Sequence, residues 1–487
     1  MSEGTVSKKK NTAYYINTVI VFVLMFGIGQ LPPFAQITPL GMQILGIFVG
    51  VLYGWCTVSL VWPGLVGIVA IGATEYSTVT EAFQAAFGSD IPLMIIVVYV
   101  LAAFLEECGL NQFLANWFIS RKVGEGRPWV FTLLIFLAAY VMSAFVSTYA
   151  TIIILWMIFY KICDQIGEPP CTKYTAMVIS TIVIICGLTG AIFPFKAFSV
   201  LILGLTEPAI GTSLDINFFV WTAYNFIVTV LTIVVYLLAY KIILRPDLSR
   251  VKEAGAKYAY LRDQKMNREQ KVGALVMILF VLGLALPSIL PQSIPGMSIL
   301  SEMSILGVGT ILMVALALVK RGKDPYVSIP HLISSGVNWE LVILIASTMP
   351  ISNALEAEEA GVLQSVIAWM NQTFSGLSGL TFLIVVTVVF LLVTQVTHNL
   401  VLIIVFTPVL TKMGLSFGVE PALVMFLIFY AAMAAYATPA ASSNAALIFG
   451  NDKWVARKDG YASGAIMLLA SLIVLVCIAI PLGQVML

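Results

Sequence analysis

Thr394, Thr397, His398 and Asn399 stand inside TQVTHNLVLIIVFTP (residues 394–408), and Ser143, Ser147 and Thr148 inside SAFVSTYAT (residues 143–151). Long aliphatic stretches flank both runs. Small hydroxyl and carboxamide groups beside a broken helix complete oxygen cages for a cation or supply donors to an anion, because the break leaves amides and carbonyls free. Taken singly, each Ser or Thr also fits a membrane helix in which its hydroxyl returns to the previous turn. His398 fits three roles: donor to a carboxylate, titrating group, or partner of a nearby carbonyl. His331, in SIPHLIS, reads as structural or interfacial.

Each polar run is followed by a second interruption, CGLTGAIFPFKAF (residues 186–198) and AAYATPAASSNAALIFG (residues 434–450). Pro194 and Pro439 donate no amide, and the small residues beside them let a ligand approach the backbone. A proline kink explains either one alone; one after each polar run favours a built site. Lys196 is the one Lys or Arg placed well inside an apolar span. A charge there is costly, so it faces a cavity or a partner such as an anionic substrate, or else stretches its stem outward to water.

Elements of a particular kind must hold these groups. Of 487 residues, 60% are apolar and 10% charged, against roughly 25% charged in ordinary soluble domains. Apolar runs of about 20 residues recur along the chain, the length a helix needs to cross a bilayer. The fold class is therefore an all-α polytopic membrane protein, since lipid-exposed backbone must satisfy its own hydrogen bonds. A net charge of +1 with no basic patch excludes a nucleic-acid partner, and six scattered cysteines without a CxxC pair read as reduced small apolar residues.

Lys and Arg cluster at Lys8 to Lys10, Arg121/Lys122/Arg127, Lys161 and Lys173, Lys241 to Lys271, Lys320/Arg321/Lys323 and Lys453/Arg457/Lys458, alternating with neutral or acidic loops such as Glu207/Asp215. That alternation places the N-terminus in the cytoplasm. Residues 128–160 lie between two basic clusters of the same side, so they form either a re-entrant hairpin with its tip at SAFVSTYAT or one long tilted helix.

The two halves are related. LEECGLNQFLANW (residues 105–117) matches AEEAGVLQSVIAW (residues 357–369) at Glu106/Glu358, Glu107/Glu359, Gly109/Gly361, Gln112/Gln364 and Trp117/Trp369, each pair 252 positions apart. With a one-residue gap, SAFVST falls on TQVTHN. The charge pattern makes the repeats inverted, a pointer to secondary transporters whose site lies between the copies. The expected organisation is an N-terminal segment and first span (1–40), repeat 1 (41–245, hairpin 128–160, interrupted span 174–205), a cytoplasmic linker (246–271) and repeat 2 (272–487, hairpin 376–411, interrupted span 421–450).

In these residues the chain resembles the divalent anion/sodium symporter family, the INDY-type di- and tricarboxylate transporters, over nearly its whole length. ATPAASSNAALIFG is similar to that family's Ala-Thr-Pro signature. The resemblance implies two hairpins, about eleven spans, a homodimer and a transport part that moves like an elevator. It also implies one sodium cage from Ser143, Ser147, Thr148 and the backbone near Gly190, and a second from Thr394, Thr397, Asn399 and the backbone near Ala437. Substrate would touch Ser147, Thr148, Tyr149, His398, Asn399, Thr438 and Pro439. Where that family places Ser-Asn-Thr at each tip, this chain reads Ser147-Thr148-Tyr149 and His398-Asn399-Leu400.

The expected function is a secondary carrier of small organic anions, dicarboxylates foremost, coupled to sodium in an inner or plasma-type membrane. The alternative is an exchanger or proton-coupled carrier in which the Lys196 ammonium replaces one sodium ion. No cofactor beyond the coupling ion is expected. An enzyme would need an acid, base or thiol constellation, and the midplane offers only Lys196 and His398.

Overall fold

The computed structural model describes residues 12–145, 147–214, 216–291, 293–321, 324–373, 378–439 and 441–487. Lys8 to Lys10, Asp215 and Lys323 of the charge pattern lie outside them, as does the side chain of Trp369. Among the described residues the regular structure is helical apart from a short antiparallel ladder, Lys320–Arg321 with Asp324–Pro325. Its first half runs through α1 (Thr12–Gly27), α2 (Pro39–Thr57), α3 (Trp62–Ile71), α4 (Val79–Phe87), α5 (Asp90–Glu107), α6 (Leu110–Ile119), α7 (Pro128–Phe145), α8 (Thr148–Ile166), α9 (Lys173–Leu188), α10 (Ala197–Ile210) and α11 (Phe218–Ile243). After the short α12 (Ala254–Lys257) come α13 (Arg268–Ile289), α14 (Met297–Leu318), α15 (Ile329–Gly336), α16 (Trp339–Glu356), α17 (Val362–Thr373), α18 (Gly379–Val393) and α19 (Asn399–Ser416). The chain ends with α20 (Pro421–Met433), α21 (Ser443–Gly450), α22 (Arg457–Val474) and α23 (Ile480–Met486).

Among the described residues, ten helices are long and apolar enough to cross a membrane, or up to twelve if each bent pair is one span. Two compact units share the chain: Met1–Pro92 with Asn338–Leu377, and Leu93–Val337 with Ser378–Leu487. Within the first, the turn before α2 is tied to the first turn of α17 and the segment before it. Thr38 N donates to Ala360 O (3.0 Å), Thr38 Oγ1 to Glu359 O (2.7 Å) and Gln36 N to Ser365 Oγ (3.0 Å). Each unit thus draws on both halves of the sequence.

The second unit holds both hairpins. Local chemistry sets their ends. Ser147 is the N-cap of α8, Gly167 closes that helix in the left-handed region, Thr172 opens α9 with a capping box, and Ser378 accepts from Thr381 N at the start of α18. At one end of α9, Tyr174 meets Thr132 of α7 through a 3.1 Å hydroxyl pair and Phe159 of α8 through a ring contact at 5.8 Å. At the other end, Thr189 meets Ser143 of α7 (2.7 Å) and Cys186 O accepts from Thr148 of α8 (3.5 Å). α7 therefore runs parallel to α9 and α8 antiparallel to it, which makes residues 128–166 a helical hairpin rather than one long helix. The second arm outlasts the expected end at 160, because only Gly167 and the prolines after it stop the helix.

Residues 379–416 form the second hairpin. Phe382 stacks on Phe417 (4.9 Å) and Phe390 meets Phe406 edge-on (5.7 Å), so α18 and α19 are antiparallel. The linker packs at the base of the first hairpin: Arg262 pairs with Glu125 just before α7, and Lys257 donates to Gln165 O at the end of α8. The repeat recurs in the backbone, for Gly109 before α6 and Gly361 before α17 have φ of 67° and 66°.

Candidate functional site at the paired tips and breaks

Ser143 lies in the last turn of α7, where the final carbonyls of a helix have no intrahelical partner. Its hydroxyl donates to Ala139 O (2.6 Å) and shares a hydrogen bond with Thr189 Oγ1 (2.7 Å). Lys196, the N-cap residue of α10 in the break after α9, turns its Nζ onto this tip and donates to Ser143 O at 2.9 Å. A cation at the C-terminal end of α7 complements the negative end of the helix dipole. Thr148 Oγ1 reaches Cys186 O, and Gly190 is buried in the turn Thr189–Ala191.

At the second tip, Thr394 Oγ1 donates to Ala432 O (3.4 Å) in the last turn of α20. Gln395 spans the gap between this tip and the break after α20. Its Nε2 donates to Leu391 O (2.8 Å) and Ala434 O (3.2 Å), and its Oε1 accepts from Ala437 N (2.9 Å). Thr438 Oγ1 donates to Gln395 O (2.6 Å), and Asn399 N donates to Ala441 O (3.1 Å). His398 is the N-cap residue of α19 without a side-chain capping bond, and its buried Nδ1 has no hydrogen-bond partner. Thr397 is half-buried and Pro439 exposed.

The two tips are joined. The Tyr149 hydroxyl lies beside Ser443 and the Tyr436 hydroxyl beside Asn444, and the latter tyrosine donates to Val183 O (3.4 Å) in α9. The N-termini of α8, α19 and α21 therefore come together through Tyr149–Ser443 and Asn399–Ala441, and that of α10 joins them through Lys196–Ser143. The N-cap residues of α10 and α19 make no side-chain capping bond; at α19 the backbone supplies partners instead, Ala441 O for Asn399 N and His398 O for Val401 N. His331 belongs elsewhere, on α15, with its Nε2 3.0 Å from Glu107 Oε1.

Sequence reasoning passes over Gln395, Thr189, Tyr436 and Asn444. A carboxamide among aliphatic residues was a signal for Gln395. Its partners are mostly backbone atoms, however, and these have no signature in a sequence.

No curated protein matches this chain. The solved structure of the YdaH transporter of Alcanivorax borkumensis, described as having an unusual topology, is similar in fold, with a TM-score of 0.57 at 14% identity over 84% of this chain and 89% of that one. The family model for citrate transporters, CitMHS, matches residues 48–325, from α2 through the first hairpin, Lys196 and the linker to the ladder after α14. With more than half of its length matched, and with hairpin tips meeting helix breaks as the resemblance to divalent anion transporters implies, the chain belongs to the CitMHS citrate transporter family.

Proposed function

We propose that this secondary transporter carries small di- and tricarboxylates, bound between the two hairpin tips, across the membrane in an elevator step. The observation that supports the reading is the meeting of four helix N-termini, those of α8, α10, α19 and α21. Each brings the positive end of a dipole to one place, and the N-cap residues of two of them, α10 and α19, make no side-chain capping bond. His398, Asn399 and Thr438 border that place, with Ser147, Thr148 and Tyr149 on the opposite tip. A homodimer would supply the static frame against which such a unit moves.

One observation favours exchange over coupling to two sodium ions. The Lys196 ammonium lies on Ser143 O, where the resemblance would put the first sodium. In the symport reading, sodium stays at the second tip with Thr394, Thr397, Asn399 and the backbone of Ala437.

Purified protein in liposomes decides the carrier reading. Vesicles loaded with unlabelled citrate should take up external radiolabelled citrate faster than empty vesicles, and succinate or malate should compete. Absence of uptake of any di- or tricarboxylate, with or without sodium, would sink it. Orientation has its own measurement. In a background lacking Cys56, Cys171 and Cys477, all exposed, single cysteines at positions 127 and 161 should both label from the cytoplasmic face. Labelling from opposite faces contradicts the assigned sides.

A further inference from the structure

The inverted repeat pairs residues whose sizes are exchanged. When SAFVST is matched to TQVTHN, Ala144 stands opposite Gln395; when Pro194 is matched to Pro439, Ala441 stands opposite Lys196. At the first tip the long polar side chain comes from the broken span and reaches the end of the hairpin helix, Lys196 Nζ to Ser143 O at 2.9 Å. At the second it comes from the hairpin and reaches the broken span, Gln395 Nε2 to Ala434 O at 3.2 Å. In each repeat the matching position is an alanine, too short to make the contact.

Gln395 is built into its place. It is buried, and both N–H groups of its carboxamide have acceptors at the C-terminal ends of two helices, Leu391 O of α18 and Ala434 O just past α20. Carbonyls at two such ends are the ligands that a coupling cation takes in a broken-helix transporter. The neighbouring carbonyls are also engaged: Ala432 O accepts from Thr394, Ala434 O also from Tyr436 N, and Ala435 O from Ser442 Oγ at 2.7 Å. The amide of Ala437 is held by Gln395 Oε1.

We infer that Gln395 is a positioning residue whose carboxamide holds the second tip to the break after α20 in place of a coupling cation, as the Lys196 ammonium does at the first tip. The transport cycle then takes no inorganic cation into either set of carbonyls. The inference deepens the carrier reading above and rests on it for its transport arm only.

The test uses the full-length protein with two substitutions. Gln395→Ala removes the carboxamide and takes that partner from Leu391 O and from the Ala437 amide, while Ala434 O keeps Tyr436 N. Gln395→Glu keeps the shape but turns the donor into a carboxylate, which a monovalent cation would complete. Wild-type melting temperature and citrate uptake should be the same in sodium and in N-methylglucamine. In N-methylglucamine, uptake by Gln395→Ala should fall roughly tenfold, the loss expected when buried acceptors are orphaned. Sodium should raise the melting temperature of Gln395→Glu and restore part of the lost uptake, because a bound ion stabilises by mass action. A plain structural brace would lose stability in both variants with no response to sodium. That result overturns the inference, as does a wild type stabilised or driven by sodium. The melting arm needs no transported substrate, so failure of the carrier reading and failure of this inference are read separately.

Discussion

Lys196→Ala should bind citrate roughly ten- to a hundred-fold more weakly than wild type, because a hydrogen bond from a charged donor in an apolar surround contributes about 1.5–3 kcal/mol. The ammonium is held by Ser143 O, so its loss also removes that donor from the end of α7. If it stands where a sodium ion would, the variant should gain a sodium dependence absent from wild type, since the emptied oxygens regain a use. Lys196→Met keeps most of the aliphatic stem and separates charge from packing. Citrate-induced thermal shift across a sodium titration reads both effects. Affinity and sodium response equal to wild type in both variants would end the argument from a buried cation to an anionic substrate.

The second large effect concerns a contact between repeats. A Cβ on Gly187 would lie 2.3 Å from the Tyr436 hydroxyl and 2.9 Å from Asn444 Nδ2, but 3.6 Å from Tyr436 Cζ. Tyr436 is fully buried, lies beside Asn444 and donates to Val183 O, so it has little room to yield. Gly187→Ala should therefore destabilise by about 1–3 kcal/mol, the usual cost of overpacking, and depress transport by displacing the break after α20. Removing the offending oxygen should relieve part of the strain. Gly187→Ala with Tyr436→Phe is expected to be more stable than the two single effects summed, a coupling that a double-mutant cycle measures. Strict additivity would show that the hydroxyl is not what the new methyl group meets.

The elements that repeat were the legible ones. A hairpin followed by an interrupted span occurs twice, and basic residues on both sides of 128–160 mark a chain that turns back. The ends were less legible, because Lys161 reads as a boundary although its helix continues to Ile166. A lysine near a helix end extends its stem to water without breaking the helix, whereas Gly167 and the prolines beyond it do break it. Within the site, residue types in the polar runs gave the hydroxyls and Lys196, because an unexplained polar group in an apolar span can be seen in one dimension. Gln395 could be noticed but not given a role, since Leu391 O, Ala434 O and Ala437 N are backbone atoms. Tyr436 looked like one more aromatic in an apolar run until the close passage of Gly187 gave its hydroxyl a place.

Beyond Lys173 at its start, the helix that receives both arms of the first hairpin is buried in protein along its length. The whole apolar window of α9 is buried, against 22% of that of α13 and 17% of that of α14 in the same unit. A bilayer thicker or thinner than the protein prefers acts on the helices that lipid reaches, by tilting them or deforming around them. That mismatch would fall on α13 and α14. Thr189, in the turn that ends α9, is shielded from it, so one partner of the first tip keeps its place while the hydrophobic thickness of the host membrane changes.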